Sequence, residues 1–212
     1  GAPVEFRTAE GRPFLLAERY DRRRNDTGIV RRLHQEDFCQ ALGVPPETKY
    51  ASEGGPTFRE CFDLVRRVSA RPSVDVLKLL DAAIFNLIVG NADAHGKNFS
   101  ILYGEEGPRL APLYDLLSTI AYPELSPKMA MRLGKKATLQ DMDADSWKGF
   151  AKEAGVGWPF LRRRVGELSR QIISQVEDVA TALKGAPPEH GDVNALAELV
   201  ADRAQTVQQS LG

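Results

Sequence analysis

The sequence predicts a mainly α-helical fold that carries small β-hairpins. Three observations predict it. Val76, Leu77, Leu80, Ala83, Ile84, Leu87 and Ile88 recur at helical spacing, so one helix is core on most of its surface. Pro159 to Leu183 is a long amphipathic stretch, and Val193 to Leu211 follows behind an Asp192 cap. Short strand-like runs are split by glycine turns at Glu10-Gly11-Arg12 and Gly104-Glu105-Glu106-Gly107.

In chain order, Val4–Arg7 and Pro13–Tyr20 flank the first turn and read as an opening hairpin. Arg22 to Arg32 is charged and loop-like. Gln35 to Leu42 reads as a short helix stopped by Gly43 and the Pro45-Pro46 pair. Glu53-Gly54-Gly55-Pro56 is a loop, after which Thr57 and Glu60 form a capping box for a helix through about Val68. Ser73 is the expected cap of the core helix. Phe99–Tyr103 and Arg109–Ala111 make a second hairpin. Leu116 to Ile120 begins another short helix, and Pro123 to Lys136 reads as irregular and locally basic. Thr138 with Asp141 resembles a helix start for 139–153.

The chain has 212 residues, 42% of them hydrophobic, which suffices for a proper core in one or two domains. A formal net charge of −1 predicts neither general nucleic-acid affinity nor attraction to membranes. Cys39 and Cys61 make no disulfide framework and no CxxC pair, and are expected to be reduced thiols. With no signal-peptide core and no 18-residue apolar run, the expected location is cytoplasmic.

The chemistry is concentrated in Gly90-Asn91-Ala92-Asp93-Ala94-His95-Gly96-Lys97-Asn98. Asp93 precedes Asn98 by five residues, the D-x-x-x-x-N spacing of a phosphoryl-transfer loop, and Asp115 follows beyond the second hairpin. Phosphoryl transfer asks a protein mainly for positioning and charge neutralisation. A carboxylate must accept the attacking hydroxyl's proton, a role that suits Asp93. Mg²⁺ takes hard oxygen ligands and keeps waters, so Asn98 and Asp115 suffice when phosphate oxygens complete the octahedron. Each residue also has a plainer reading. Asp93 and Asn98 could bond their own backbone in a turn, His95 could be a structural histidine, and Lys97 could point into water.

Several stretches in order resemble the HipA-like serine/threonine kinases, the toxin half of bacterial toxin–antitoxin pairs. They are Ala17-Glu18-Arg19-Tyr20-Asp21-Arg22-Arg23, Leu33-His34-Gln35-Glu36-Asp37-Phe38-Cys39-Gln40, Lys49-Tyr50 with Gly54-Gly55-Pro56, Gly90–Phe99, Leu110–Leu116, Lys128–Met131 and Gly134-Lys135-Lys136. The resemblance implies a protein-kinase-like, HipA-like C-terminal helical lobe over 21–212, with 1–20 as hairpin and inter-lobe hinge. It implies ATP and Mg²⁺ as cofactors, Asp93 as catalytic base, and Asn98 and Asp115 as metal ligands. It places Glu18, Arg19 and Tyr20 at the hinge beside adenine, and His95, Lys97 and Tyr114 in the nucleotide site. Gln35, Glu36 and Asp37 match a signature whose role is expected to be architectural. The implied partners are a protein substrate (an aminoacyl-tRNA synthetase in this family), a helix-turn-helix antitoxin, and operator DNA only through that antitoxin. Lys135 and Lys136 match a loop that touches the DNA backbone, although a Gly-Lys-Lys turn by itself reads as a solvated loop.

A phosphate-covering loop and its lysine are expected upstream of the hinge. The only lysines before Asp93 are Lys49 and Lys78, both after it. The expectation is therefore a C-terminal lobe without its upstream ATP lobe, inactive or slow by itself. The competing readings are a non-enzymatic module that binds an antitoxin or other protein, and a small-molecule or lipid phosphotransferase.

Overall fold

The computed structural model describes residues 2–183 and 192–212, apart from the side chain of Pro13. Six helices and four small antiparallel sheets are described. The helical core is built around α3 (Pro72–Val89), which packs against α2 (Phe58–Val68), α5 (Trp158–Ala182) and α6 (Val193–Gln209). Helix α4 (Ala144–Glu153) closes one end, where Phe58, Phe62, Trp147 and Phe150 bring their rings within 5.2–6.5 Å of one another. Such offset and edge-on aromatic pairs add to area burial. Along α3 the expected Leu80, Ala83, Ile84, Leu87 and Ile88 are buried, whereas Leu77 is 44% exposed and Leu79 takes its place in the core.

The sheets are where the sequence expectations change. Strands β1 (Val4–Ala9) and β2 (Arg12–Ala17) form the expected hairpin. The segment expected as a charged loop folds into a second hairpin, β3 (Arg22–Arg24) with β4 (Val30–Arg32). Buried Asp21 holds it down. Its carboxylate accepts two bonds from Arg19 at 2.7 Å and one from Arg22 at 2.5 Å, with Arg32 at 3.8 Å. These guanidinium groups lower the Asp21 pKa to about 2.

The short helix expected from Gln35 starts only at Phe38. Residues His34–Asp37 form β5, the first strand of a three-stranded sheet with β6 (Ser100–Gly104) and β7 (Gly107–Leu110). The pairing Gln35–Leu102, Glu36–Ile101 and Asp37–Ser100 wins over local helix propensity. Glu36 accepts a 2.5 Å bond from Tyr103, and Asp37 caps α1 (Phe38–Leu42) in a capping box with Gln40. The Gln-Glu-Asp motif thus joins strand to helix.

Four further expectations are corrected. Ser73 is not the cap of α3, because Pro72 takes the first helical position and Arg71 stands at the cap. Lys128–Leu133 is strand β8, paired with β9 (Lys136–Thr138), where an irregular stretch was expected; its middle residues Met129, Ala130 and Met131 are all buried. The Thr138–Asp141 bond exists at 2.6 Å but precedes the helix, which begins at Ala144 behind Asp143. After Leu116 only a single 3₁₀ turn, Thr119–Ala121, is helical. Cys39 and Cys61 are buried free thiols.

Candidate active site

Helix α3 ends where the candidate loop begins. Gly90 adopts a left-handed conformation (φ 76°), and its N–H closes the helix on Asn86 and Leu87 carbonyls. A side chain at Gly90 would collide with Ile120, so glycine is required twice over. Thr119 then ties the two halves of the site together. Its hydroxyl donates to the Gly90 carbonyl and accepts from the Ala92 N–H, both at 2.9 Å.

Asn91 is a hub that the sequence reading passed over. Its Oδ1 accepts from the Asp93 N–H at 3.1 Å, and its Nδ2 donates to Asn86 at 2.9 Å and to the Asp115 carbonyl at 3.4 Å. One buried amide therefore positions the backbones of both candidate acids. Asp115 itself has φ 56°, a left-handed conformation rare for a side-chain-bearing residue but tolerated by Asp. Such strain is held only where surrounding contacts over-determine it.

Asn98 and Asp115 meet directly, the Asn98 amide donating to Asp115 Oδ2. Asn98 Oδ1 accepts from the His95 N–H at 2.8 Å and keeps a second lone pair. This hard oxygen pair fits a cation that also takes phosphate oxygens and water. Among the described residues no cluster of three His, Cys, Asp or Glu side chains could hold a metal by itself. Asp93 is exposed, with its Oδ2 3.9 Å from His95 Nε2. Burial, reinforced by nearby Lys49, pushes the His95 pKa below its usual value despite the pull of Asp93. At 3.9 Å its approach to Asp93 is too long for a hydrogen bond.

Lys49 is a second residue that sequence reasoning set aside. Its ammonium lies 4.8 Å from the Tyr50 ring centroid, and Tyr50 meets His95 edge-on at 5.8 Å. Burial opposes its charge, but neighbouring Tyr50 and the fields of Asp93 and Asp115 outweigh that and raise its pKa. The Gly54-Gly55-Pro56 loop explains this placement. Gly55 packs on the backbone of Thr48, Lys49 and Tyr50 with no room for a Cβ, and Pro56 packs on Gly96 of the candidate loop. Lys49 lies in one of the stretches that carry the family resemblance, but its approach to the candidate loop is made across about 45 residues of chain and shows in no local pattern.

The remaining expected residues separate. Arg19, Tyr20, Lys97 and Tyr114 line one cleft of about 320 Å³ together with Gln35, Asp37 and Ser100. Tyr20 stacks on Tyr114 at 6.4 Å, and the Tyr114 hydroxyl bonds Ser100 at 2.6 Å and the Lys97 carbonyl at 2.7 Å. Burial drives the Tyr114 pKa up to about 12. Glu18 stays outside that lining; its side chain is exposed and its N–H is taken by Pro3 at 2.9 Å. Asp93 faces a different groove of about 510 Å³, walled by Leu117, Leu125, Lys128, Met129 and Ala130. Lys135 is exposed at the β8–β9 turn, and Lys136 pairs with Asp143 at 3.3 Å.

A helical core with paired acids and an amide on loops at one end of its central helix defines a class shared with known proteins. The chain belongs to the HipA-like C-terminal domain family, whose pattern matches residues 1–206. It is 66% identical to Sinorhizobium fredii Y4mE, provisionally named a kinase, over 99% of this chain and 50% of that protein. It is 31% identical to the serine/threonine-protein kinase toxin HipA of Shewanella oneidensis, over 80% of this chain and 42% of the toxin. The chain thus spans about half the length of these relatives. The structure of the Shewanella HipA in complex with HipB and operator DNA superposes with a TM-score of 0.87 at 26% identity, covering 99% of this chain and 53% of that one. The Helicobacter pylori kinase CtkA shares the fold, with a TM-score of 0.53 at 11% identity, over 99% of this chain and 73% of that one.

Proposed function

We propose that this chain is the kinase-type C-terminal lobe of a HipA-like serine/threonine kinase, acting with Mg²⁺ and ATP on a protein hydroxyl. The observation that carries the reading is the shared framework of Asp93, Asn98 and Asp115. Asn98 touches Asp115, and Asn91 ties Asp115 to the backbone of Asp93. Mg-ATP supplies the phosphoryl group and neutralises its charge when bound. Asn98 Oδ1 and the Asp115 carboxylate would hold the metal. Asp93, free at the groove, accepts the proton of the attacking hydroxyl. His95 holds the loop through its N–H bond to Asn98, and Lys49 offsets the two carboxylates. Tyr20, Tyr114, Arg19 and Lys97 form the nucleotide end, with residues 1–20 as the hinge toward an upstream lobe.

The likeness to a HipA bound to HipB and operator DNA supports pairing with a helix-turn-helix antitoxin. In a like assembly of this chain, Lys135, exposed at its turn, would meet the DNA backbone. Lys136 is less free, being paired to Asp143. The family resemblance supports an aminoacyl-tRNA synthetase as the substrate. No described helix is long and apolar enough to cross a membrane, in keeping with a cytoplasmic location.

The test is transfer of labelled phosphate from ATP to serine by a protein carrying this lobe and an upstream lobe. Transfer should require Mg²⁺ and should be lost in Asp115→Asn. Labelling that is indifferent to Mg²⁺ chelation and to that substitution would refute the reading.

A further inference from the structure

We infer that the groove beside Asp93 docks an extended protein segment bearing a large apolar side chain two residues from the phosphorylated hydroxyl. The inference rests on the kinase reading above and names the substrate class of that site.

The groove holds about 510 Å³ and includes Asp93 in its lining. An acceptor hydroxyl must come within hydrogen-bond reach of its base, so the occupant of this volume is the acceptor. The walls are apolar. Leu117 is 42% exposed and Leu125 49%, and Leu116 and Tyr122 in the same ten-residue stretch are 39% and 55% exposed. Apolar surface concentrated in this way marks an interaction site. Little of it is spent on the core, although buried Thr119 in its midst anchors the stretch to the catalytic loop. Met129 and Ala130 complete the wall, fixed by the Ala130 N–H bonding the Ala92 carbonyl at 2.7 Å. The wall is therefore registered to the loop that carries Asp93.

Charge selects among occupants. Among the described residues the lining contains one acid, Asp93, and one cation, Lys128, with Tyr50, Ser52, Thr119 and Ser126 as its neutral polar members. A phospholipid headgroup or a nucleic acid needs a cluster of cations, and none lines this groove. A neutral peptide with an apolar anchor matches both the balance and the walls. In an extended segment, residues i and i±2 face the same way, so the anchor that shares the groove with the hydroxyl sits two residues away.

The experiment uses the protein carrying its upstream lobe, Mg-ATP, and peptides with one central serine. Positions two residues to either side are varied among Leu, Met, Ser, Glu and Lys. Leu or Met at one of them should raise kcat/KM at least about tenfold over Ser or Glu, the usual worth of an apolar pocket contact. Leu117→Asp and Leu125→Asp should erase that preference by raising KM, while calorimetric affinity for Mg-ATP holds. Both side chains are largely exposed, so circular dichroism should show an unchanged fold, and Leu125→Ser repeats the test without adding charge. The inference is overturned if the wild-type protein phosphorylates these peptides without regard to the flanking residue, if the aspartate variants keep the wild-type KM, or if phosphatidylinositol vesicles are labelled instead of peptides. Absence of labelling on peptides, vesicles and the protein's own serines would instead sink the kinase reading itself.

Discussion

The two faces of the catalytic loop differ in kind. Lys97 looks into a cleft whose walls are arginines, tyrosines and carboxylates, held by short polar bonds such as Tyr114 to Ser100. Four residues earlier, Asp93 looks into a groove walled by leucines and a methionine. Asn98 and Asp115 stand on the loop and the segment that these two faces share. On the proposed reading a nucleotide would present phosphates and a planar base to one side, and a peptide a hydroxyl and an apolar neighbour to the other. The difference teaches that a single nine-residue loop can serve two walls of different chemistry when residues four apart in it face opposite sides.

That division predicts separable effects. Asp93→Asn should lower kcat by about 10²–10⁴-fold with Mg-ATP affinity unchanged, measured by single-turnover transfer and calorimetry. Loss of nucleotide affinity in that variant would break the comparison. Asn91→Ala sits beneath both faces and should lower transfer and nucleotide affinity together by about 10–100-fold, the usual cost of losing a group that orients a metal ligand. Arg203→Met probes the support rather than the site. Its guanidinium donates to the carbonyls of Leu87 and Leu139 at 2.9 Å, at the end of α3 just before the loop. Losing it should cost about 1–3 kcal/mol in urea unfolding, because two buried carbonyls lose their donor. Tyr114→Phe removes the bonds to Ser100 and Lys97 and should weaken Mg-ATP by about fivefold, equivalent to about 1 kcal/mol, without altering the peptide KM.

The smallest effect concerns pH. Asp21 has a folded pKa lowered to about 2, so its contribution is present above the ordinary carboxylate value and is lost as pH falls from about 4 to about 2. Asp21→Asn should be less stable than the parent at pH 6, and the gap should close by pH 2. A gap that persists at pH 2 would mean that packing, not charge, holds the β3–β4 hairpin.

Much of this was legible locally. The capping box of Thr57 and Glu60, the Asp192 cap, the two glycine-turn hairpins and the periodic core helix all follow from residues within a few positions of one another. Asp93, Asn98 and Asp115 stand out as a candidate set because their order in the chain mirrors the proposed chemistry, and the structure brings Asn98 onto Asp115. Strand β5 was not, since Gln35–Asp37 become a strand only by pairing with Leu102–Ser100 more than sixty residues away. Strand β8 was missed for a similar reason. Its three consecutive buried residues break the alternation that marks a one-sided strand.

What the amino-acid order settled by itself was the helical class, most of the caps and turns, and a candidate set of oxygen-bearing side chains, because each is written in residues within one or two turns of chain or in their order along it. What only the tertiary structure decided was which wall each loop residue faces, the placement of Lys49 through Gly55 and Pro56, and the bridging role of Asn91. Those depend on contacts between segments far apart in sequence, where burial and steric fit, rather than local propensity, choose the outcome.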